Sequence, residues 1–155
     1  MTIPEDPLWG ELLQNYGHAL AQLREAMDIR DVRSLTQLEV EGTIRRFKVT
    51  SNLACKLLQA YLEASGVALE KTEPVAVIHA AHLAKIINQD DVWMQMFDAQ
   101  DKLSGAYDFE IFKKIIEELQ KFYFGYLEGL YANLVKQAKA EGSLSSIIPP
   151  SGIKA

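Results

Sequence analysis

The chain contains a single cysteine, Cys55, among its 155 residues. One thiol excludes an internal disulfide framework and a cysteine-based zinc site, because each needs several cysteines. No apolar run approaches the length of about 18 residues that a membrane-spanning helix needs. The first residues contain neither a basic nor an apolar segment, so we expect no secretory signal and a cytoplasmic protein. Phosphate-binding glycine loops and the Gly-x-Ser-x-Gly elbow of hydrolases are also missing.

Glycine and proline are scarce, with nine and five residues, which is too few for a loop-rich β sandwich. Hydrophobic residues make up 48% and charged residues 24%, as in an ordinary globular domain rather than a disordered chain. The net charge of −5 argues against broad nucleic-acid binding by phosphate neutralisation. We expect one helical domain over residues 1–140 and a C-terminal tail over residues 141–155.

Apolar residues recur at steps of three and four along most of the chain, which predicts helices and no strands. Five helices are expected: 7–29, 35–64, 74–87, 91–103, and a last one that Asp108 caps and that runs to about residue 139. The predicted fold is therefore all-α, an up-and-down bundle of four main helices and a shorter one.

The ends of the second helix carry recognisable signals. Ser34 and Gln37 fit a capping box at its start, and Gly66 fits a left-handed stop just after its end. Leu38 and Gly42 are predicted on its buried side.

The shorter helices have start signals of their own. Thr72 is the predicted N-cap of the third helix, and Pro74 suits its first turn. Asp90 and Asp91 favour the start of the fourth helix, because acidic groups stabilise a helix N-terminus.

The last helix has an unusually wide aromatic surface. Phe122, Tyr123, Tyr126 and Tyr131 cannot all face one groove between three helices. This surface is either fully internal or partly a dimer interface, and periodicity does not distinguish the two.

The sequence gives little support for a metal site or for a nucleophilic cysteine. His79 and His82 share a helix face, but no acidic residue or cysteine follows at the spacing that would complete a metal site. Cys55 lies among leucines and alanine and is expected to be a small buried hydrophobic residue. We therefore expect no metal, no cofactor and no thiol nucleophile.

The second helix also carries the main concentration of basic residues. Arg45, Lys48 and Lys56 fall near one face, with Arg46 beside them. They form either a solvated helix face or a local patch for a phosphate or an acidic partner.

Residues 41–63 resemble the second helix of the nucleotidyltransferase substrate-binding proteins. These are small helical bundles of the HEPN superfamily, encoded as partners of minimal nucleotidyltransferases. Residues 74–87, residues 93–96 and the aromatic helix from Phe109 resemble the same family in the same order. The resemblance covers roughly residues 8–135.

In that family the loop before the last helix typically reads Asp-x-Arg-Asn-x-x-Ser-His-x-Tyr-Asp. The resemblance implies that, in active HEPN ribonucleases, this arginine and histidine cleave RNA at a dimer interface. Here Gln100 replaces the arginine and Gly105 the histidine, so neither a positive charge nor a proton-transfer group is present. The loop residues equivalent to the motif are Gln100, Asp101, Ser104, Gly105, Tyr107 and Asp108.

Tyr107 matches the tyrosine to which, in related toxin–antitoxin pairs, the nucleotidyltransferase is implied to attach AMP. With the ribonuclease pair replaced, that control would have nothing to regulate. Tyr107 is therefore expected to be a packing or capping-loop residue. On the second helix, Lys48 and Asn52 stand where the family often has acidic residues.

The resemblance thus implies a non-catalytic substrate-binding partner of a minimal nucleotidyltransferase, in a toxin–antitoxin-like pair and as a homodimer. Its candidate surface combines the motif-equivalent loop with a helix face made of Arg45, Lys48, Asn52 and Lys56. Nucleotide or RNA binding stays open. The alternatives are an RNA-cleaving enzyme rebuilt around His79 or His82, and a purely structural bundle that dimerises through its last helix.

Overall fold

The computed structural model describes residues 7–103, 105 and 107–140, so the predicted tail at 141–155 lies outside the described residues. Over these residues the chain is helical and contains no strand, as predicted. None of the described helices combines the length and apolarity needed to cross a membrane. The elements are α1 (Pro7–Val32), α2 (Gln37–Ala64), α3 (Pro74–Leu83), α4 (Asp90–Lys102), α5 (Phe109–Glu118), a π-helical turn (Leu119–Tyr123) and α6 (Phe124–Ala140).

The bundle is built around the two long helices α1 and α2, which pack along each other. The continuous helix α5–π–α6 packs on both of them, and α3 and α4 also pack against α2. Apolar residues at helical spacing face inward from every helix and form one core. Its largest fully buried side chains include Trp9, Tyr16, Phe47, Trp93 and Tyr131.

A capping box starts α2, but not at the predicted residues. Thr36 Oγ1 accepts the Glu39 backbone N–H at 3.1 Å, and the Glu39 carboxylate accepts the Thr36 N–H at 2.8 Å. Arg33 donates to both Glu39 carboxylate oxygens at 2.8 Å and, with the Thr36 N–H, lowers the pKa of Glu39 to about 2. The box predicted at Ser34 and Gln37 is wrong, because the carboxylate that pairs with both the backbone and Arg33 is two residues later.

The end of α2 agrees with the prediction. Gly66 adopts φ +91°, and the Gly66 and Val67 N–H groups donate to the Glu63 and Leu62 carbonyls at 3.1 and 2.9 Å. This is the left-handed stop that favours glycine.

The third helix starts near its predicted residue but ends early. Pro74 occupies its first turn as predicted, whereas Thr72 is not its N-cap: Glu73 holds that position without a side-chain bond. The helix ends at Leu83 rather than at about Ile87, because Lys85 takes a positive φ of 64°. The boundaries of the other helices lie within three residues of those predicted.

One face of α2 is exposed to solvent from Leu38 to Lys56. We call it the α2 outer face; its residues, all exposed, are Leu38, Gly42, Arg45, Val49, Asn52 and Lys56. The prediction that Leu38 and Gly42 are buried is wrong, since Leu38 is 77% exposed. Phe47, Ala54 and Leu58 set the buried face. Leu38 and Gly42 lie nine and five positions before Phe47, and at 3.6 residues per turn both offsets fall on the opposite side of the helix.

The π-helical turn interrupts the last helix, and the sequence pattern did not reveal it. In the turn the helix widens, and the Phe124 N–H donates to the Leu119 carbonyl five residues back. Tyr123 and Phe124 are both buried beside it, Tyr123 stacking on Phe47 at 6.3 Å between ring centroids. Phe122 points outward and is 57% exposed. Most of the aromatic surface of this helix is therefore core.

Two buried tyrosines on facing helices differ in their hydroxyl environment. The Tyr16 hydroxyl donates to the Leu127 carbonyl at 2.6 Å, joining α1 to α6, and burial raises its pKa well above the ordinary value. Tyr131 is 1% exposed, and its hydroxyl has no hydrogen-bond partner among the described residues. A buried hydroxyl contributes to stability only when it is hydrogen-bonded.

We therefore predict opposite effects from the same substitution at these two sites. Tyr16→Phe should lower the free energy of unfolding by about 1–2 kcal/mol, because an interhelical hydrogen bond is lost. Tyr131→Phe should leave it unchanged or raise it slightly, because an unsatisfied buried hydroxyl is removed. Urea unfolding followed by circular dichroism measures both, and equal losses in the two variants would contradict the assignment.

Candidate functional site

The structure brings Gln100, on the last turn of α4, against the middle of α2. Its Nε2 lies 2.7 Å from Ser51 Oγ, 2.9 Å from Asn52 Oδ1 and 3.3 Å from the Lys48 carbonyl. Ser51 is fully buried, and its hydroxyl donates to the Phe47 carbonyl at 2.8 Å. The side chain at the motif's arginine position therefore ties α4 to α2, and it touches two residues of the predicted helix face.

Tyr107 is held from the loop onto the start of α2. Its hydroxyl donates to Glu41 Oε2 at 2.7 Å and accepts from Gln37 Nε2 at 3.4 Å. The hydrogen bond to Glu41 raises the pKa of Tyr107 above its usual value, because it favours the protonated phenol. The ring packs edge-on against Phe112 at 4.9 Å, yet Tyr107 is 55% exposed. It is thus a packing residue on one side and an accessible one on the other.

The remaining loop residues have separate tasks. Asp108 caps α5 as predicted: its Oδ1 accepts the Glu110 and Ile111 N–H groups at 3.0 and 3.2 Å. Gly105, at the motif's histidine position, is exposed and adopts φ +137°, a conformation that side-chain-bearing residues rarely take. Asp101 is exposed, and Ser104 lies outside the described residues.

The basic residues of α2 present an open positive surface. Arg45 and Lys56 are exposed and Lys48 is half-buried at the edge, and none of the three forms an ion pair with a described residue. Arg46 differs, because it pairs with Glu25 at 2.8 Å and donates to the Gln22 carbonyl on α1. Three cations on this side of α2 are therefore available to a partner.

Sequence reasoning missed the apolar part of this surface. Leu38 and Val49 are 77% and 41% exposed, and both lie on the α2 outer face. The steps of three and four that connect Leu38 to Lys56 along α2 would have placed the two α2 residues on the side of Arg45. Apolar side chains bordered by polar and charged ones match the usual core and rim of a protein–protein interface.

The histidines and the cysteine do not join this surface. His79 is exposed, and His82 lines a separate cleft with its Nδ1 3.8 Å from Asp90 Oδ1. Over the described residues, no group of three or more histidine, cysteine or acidic side chains is placed to hold a metal ion. Burial raises the pKa of the Cys55 thiol to about 11, so it is protonated and a poor nucleophile at neutral pH.

Comparison with known proteins supplies a family. The family model described as "Nucleotidyltransferase substrate binding protein like" matches residues 11–136, most of the chain. The match includes α2, the loop and all but the ends of the bundle. A search of curated proteins found no matching relative.

The Gln100 tie predicts a measurable stability contribution. Gln100→Leu keeps the size of the side chain but removes its hydrogen bonds to α2, and it should lower the free energy of unfolding by about 1–2 kcal/mol. Gln95→Leu is the matched control, since Gln95 is exposed on the same helix and makes no such contact. Denaturant unfolding of both variants tests this, and similar stability losses would argue against the tie.

The backbone at Gly105 predicts a penalty for any side chain there. Gly105→Ala should cost about 1–3 kcal/mol, because φ +137° strains a residue with a Cβ atom. Gly42→Ala, in an exposed helix position with open space, should instead stabilise the protein by up to about 1 kcal/mol. Thermal unfolding measures both, and a neutral Gly105→Ala would contradict the strain argument.

Proposed function

This chain belongs to the nucleotidyltransferase substrate-binding protein family, and on that premise we propose that it is a non-catalytic partner subunit of a minimal nucleotidyltransferase. In this proposal the partner carries out the chemistry. This chain supplies the docking surface made by the α2 outer face, Lys48 and the loop from Gln100 to Asp108. A toxin–antitoxin-like pairing and a homodimer, with exposed Phe122 available for self-association, are parts of the same proposal.

The proposed non-catalytic role rests on the residues found at two loop positions, 100 and 105. RNA cleavage of the kind that the resemblance implies needs a cation for the phosphate and a group that transfers a proton. Gln100 is uncharged, and its amide is occupied by hydrogen bonds to α2. Gly105 has no side chain and a backbone that disfavours one. Both positions serve the fold rather than a reaction.

The surface chemistry supports a protein partner with acidic groups around an apolar centre. Arg45, Lys48 and Lys56 place positive charge on a chain whose net charge is −5. Leu38 and Val49 add apolar contact along the same helix. From Leu38 to Lys56 the helix extends about 27 Å, enough for the contact patch of a specific complex. Charge of one sign on such a patch speeds association and selects the partner.

Charge reversal tests this surface. When the wild-type chain is purified together with the minimal nucleotidyltransferase of its own host, the two proteins should be recovered as a complex in near-equal amounts. The double variant Arg45→Glu/Lys56→Glu should bind about tenfold or more weakly, and the loss should shrink as salt rises. Isothermal titration calorimetry measures the affinity, and pull-down with mass spectrometry identifies the partner.

The matched control is Lys71→Glu/Lys136→Glu, which changes charge equally at two exposed lysines outside this surface. An equal loss in the control would mean that overall charge, not the α2 outer face, determines binding. Failure of the wild type to bind any host nucleotidyltransferase would contradict the proposal. So would RNA cleavage by the clean protein that is lost in His79→Ala or His82→Ala.

A further inference from the structure

A cleft of about 940 Å³ opens between α6, the first turns of α4 and the segment that joins α3 to α4. It shares no lining residue with the α2 outer face or the loop from Gln100 to Asp108. Its size is within the range of small-molecule sites, which commonly lie between the helices of bundles. It is also lined by both ring-bearing and polar side chains, as such sites are.

The floor and wall of the cleft suit a flat ring. Gly125 and Gly129 lie one turn apart on α6, and a Cβ atom at either would meet nothing within 4 Å. Between them Tyr126 is half-buried, and Trp93 on α4 is 2% exposed at the cleft wall. Half-buried Tyr126 therefore leaves part of its ring open to a flat molecule beside the two glycines.

The lining of the cleft also contains Lys85, whose backbone adopts a left-handed conformation that is unfavourable for a residue with a side chain. The ends of α2 and α3 use the same hydrogen-bond pattern: Ile86 N–H donates to the Ala81 carbonyl and Lys85 N–H to the His82 carbonyl, both at 3.0 Å. In α2 the equivalent left-handed residue is Gly66, whereas in α3 it is Lys85, with φ 64°. Stability alone favours glycine at that position. Lysine there gives the cleft an ammonium group.

That ammonium has no ion-pair partner among the described residues. The segment that carries it is fixed from α6, because Asn133 Nδ2 donates to the Ile86 carbonyl at 3.0 Å. His82 Nδ1 makes no hydrogen bond among the described residues and lies 3.8 Å from Asp90 Oδ1, and Asn88 adds an amide to the lining. Lys85, His82 and Asn88 thus add charge and hydrogen-bonding groups to a cleft that Trp93 and Tyr126 also line.

We propose that this cleft binds a small ligand in which a flat aromatic or heteroaromatic ring carries an anionic group. The ring lies over Gly125 and Gly129 beside Trp93 and Tyr126, and the anion meets Lys85. A single cation beside an aromatic wall selects molecules that combine both features over molecules with either one alone.

The test uses the full chain and three probes: 1-naphthyl phosphate, which has ring and anion, 1-naphthol, which has the ring, and inorganic phosphate, which has the anion. Chemical-shift mapping should show saturable binding of 1-naphthyl phosphate with shifts centred on Trp93, Lys85 and Gly129. The two half-probes should bind about tenfold or more weakly, because each loses one set of contacts.

Two variants separate binding from folding. Lys85→Gly should weaken 1-naphthyl phosphate about tenfold or more while thermal stability stays equal or rises, because glycine relieves the left-handed strain. Gly129→Leu should fill the cleft and abolish binding while the helix is stabilised. The controls are Lys71→Gly, at an exposed lysine elsewhere, and Gln14→Leu, at an exposed position of α1 outside both the cleft and the docking surface; both should bind like the wild type.

The opposite results overturn the proposal. These are no saturable shift with 1-naphthyl phosphate, equal affinity for inorganic phosphate, or unchanged affinity in both cleft variants. If Gly129→Leu leaves the probe bound but weakens the nucleotidyltransferase complex, the cleft is a protein contact and the small-ligand assignment is wrong.

Discussion

The rotation of α2 about its own axis is the constraint on which the rest of this structure depends. Phe47, Ala54 and Leu58 are fully buried and fix that rotation from inside the bundle. Ser51 fixes it a second time, because its buried hydroxyl accepts from Gln100. A helix locked on one side must expose the other, so Arg45, Val49 and Lys56 follow as an outward row. The candidate partner surface is thus a consequence of core packing.

The loop depends on the same helix. Gln100 binds the middle of α2, and Tyr107 binds near the start of α2 through Glu41. Both ends of the loop from Gln100 to Asp108 are therefore positioned by the same helix. Asp108 then starts α5, whose buried residues pack back against α2. In this loop the Gln100 amide joins two helices, and Gly105 lets the chain turn through a positive φ.

Periodicity predicted the helices well, because each buries a continuous apolar stripe, and Gly66, Pro74 and Asp108 mark ends that local chemistry decides. Periodicity and local signals failed to predict the N-cap of α2, where two capping signals competed, and the π-helical turn, which depends on tertiary contacts. Thr36 replaced Ser34 as the cap, because Arg33 and Glu39 reinforce one register. The π-helical turn at 119–123 depends on fitting Tyr123 and Phe124 into the same core, which no single-helix pattern encodes. Proximity of Gln100 to Asn52 is likewise a tertiary fact, although the family resemblance had already singled out both positions.

Lys85 shows where sequence reasoning can be extended. A left-handed residue after a helix is ordinarily glycine, and this chain obeys the rule at Gly66 but not nineteen residues later. Glycine would be the more stable choice there, so stability of the isolated chain does not explain the lysine. The open floor at Gly125 and Gly129 points the same way, since alanine at either position would strengthen α6 without a clash. Lys85, Gly125 and Gly129 line the same cleft, and the ligand proposed for it gives one reason for all three residues, which helix stability alone does not.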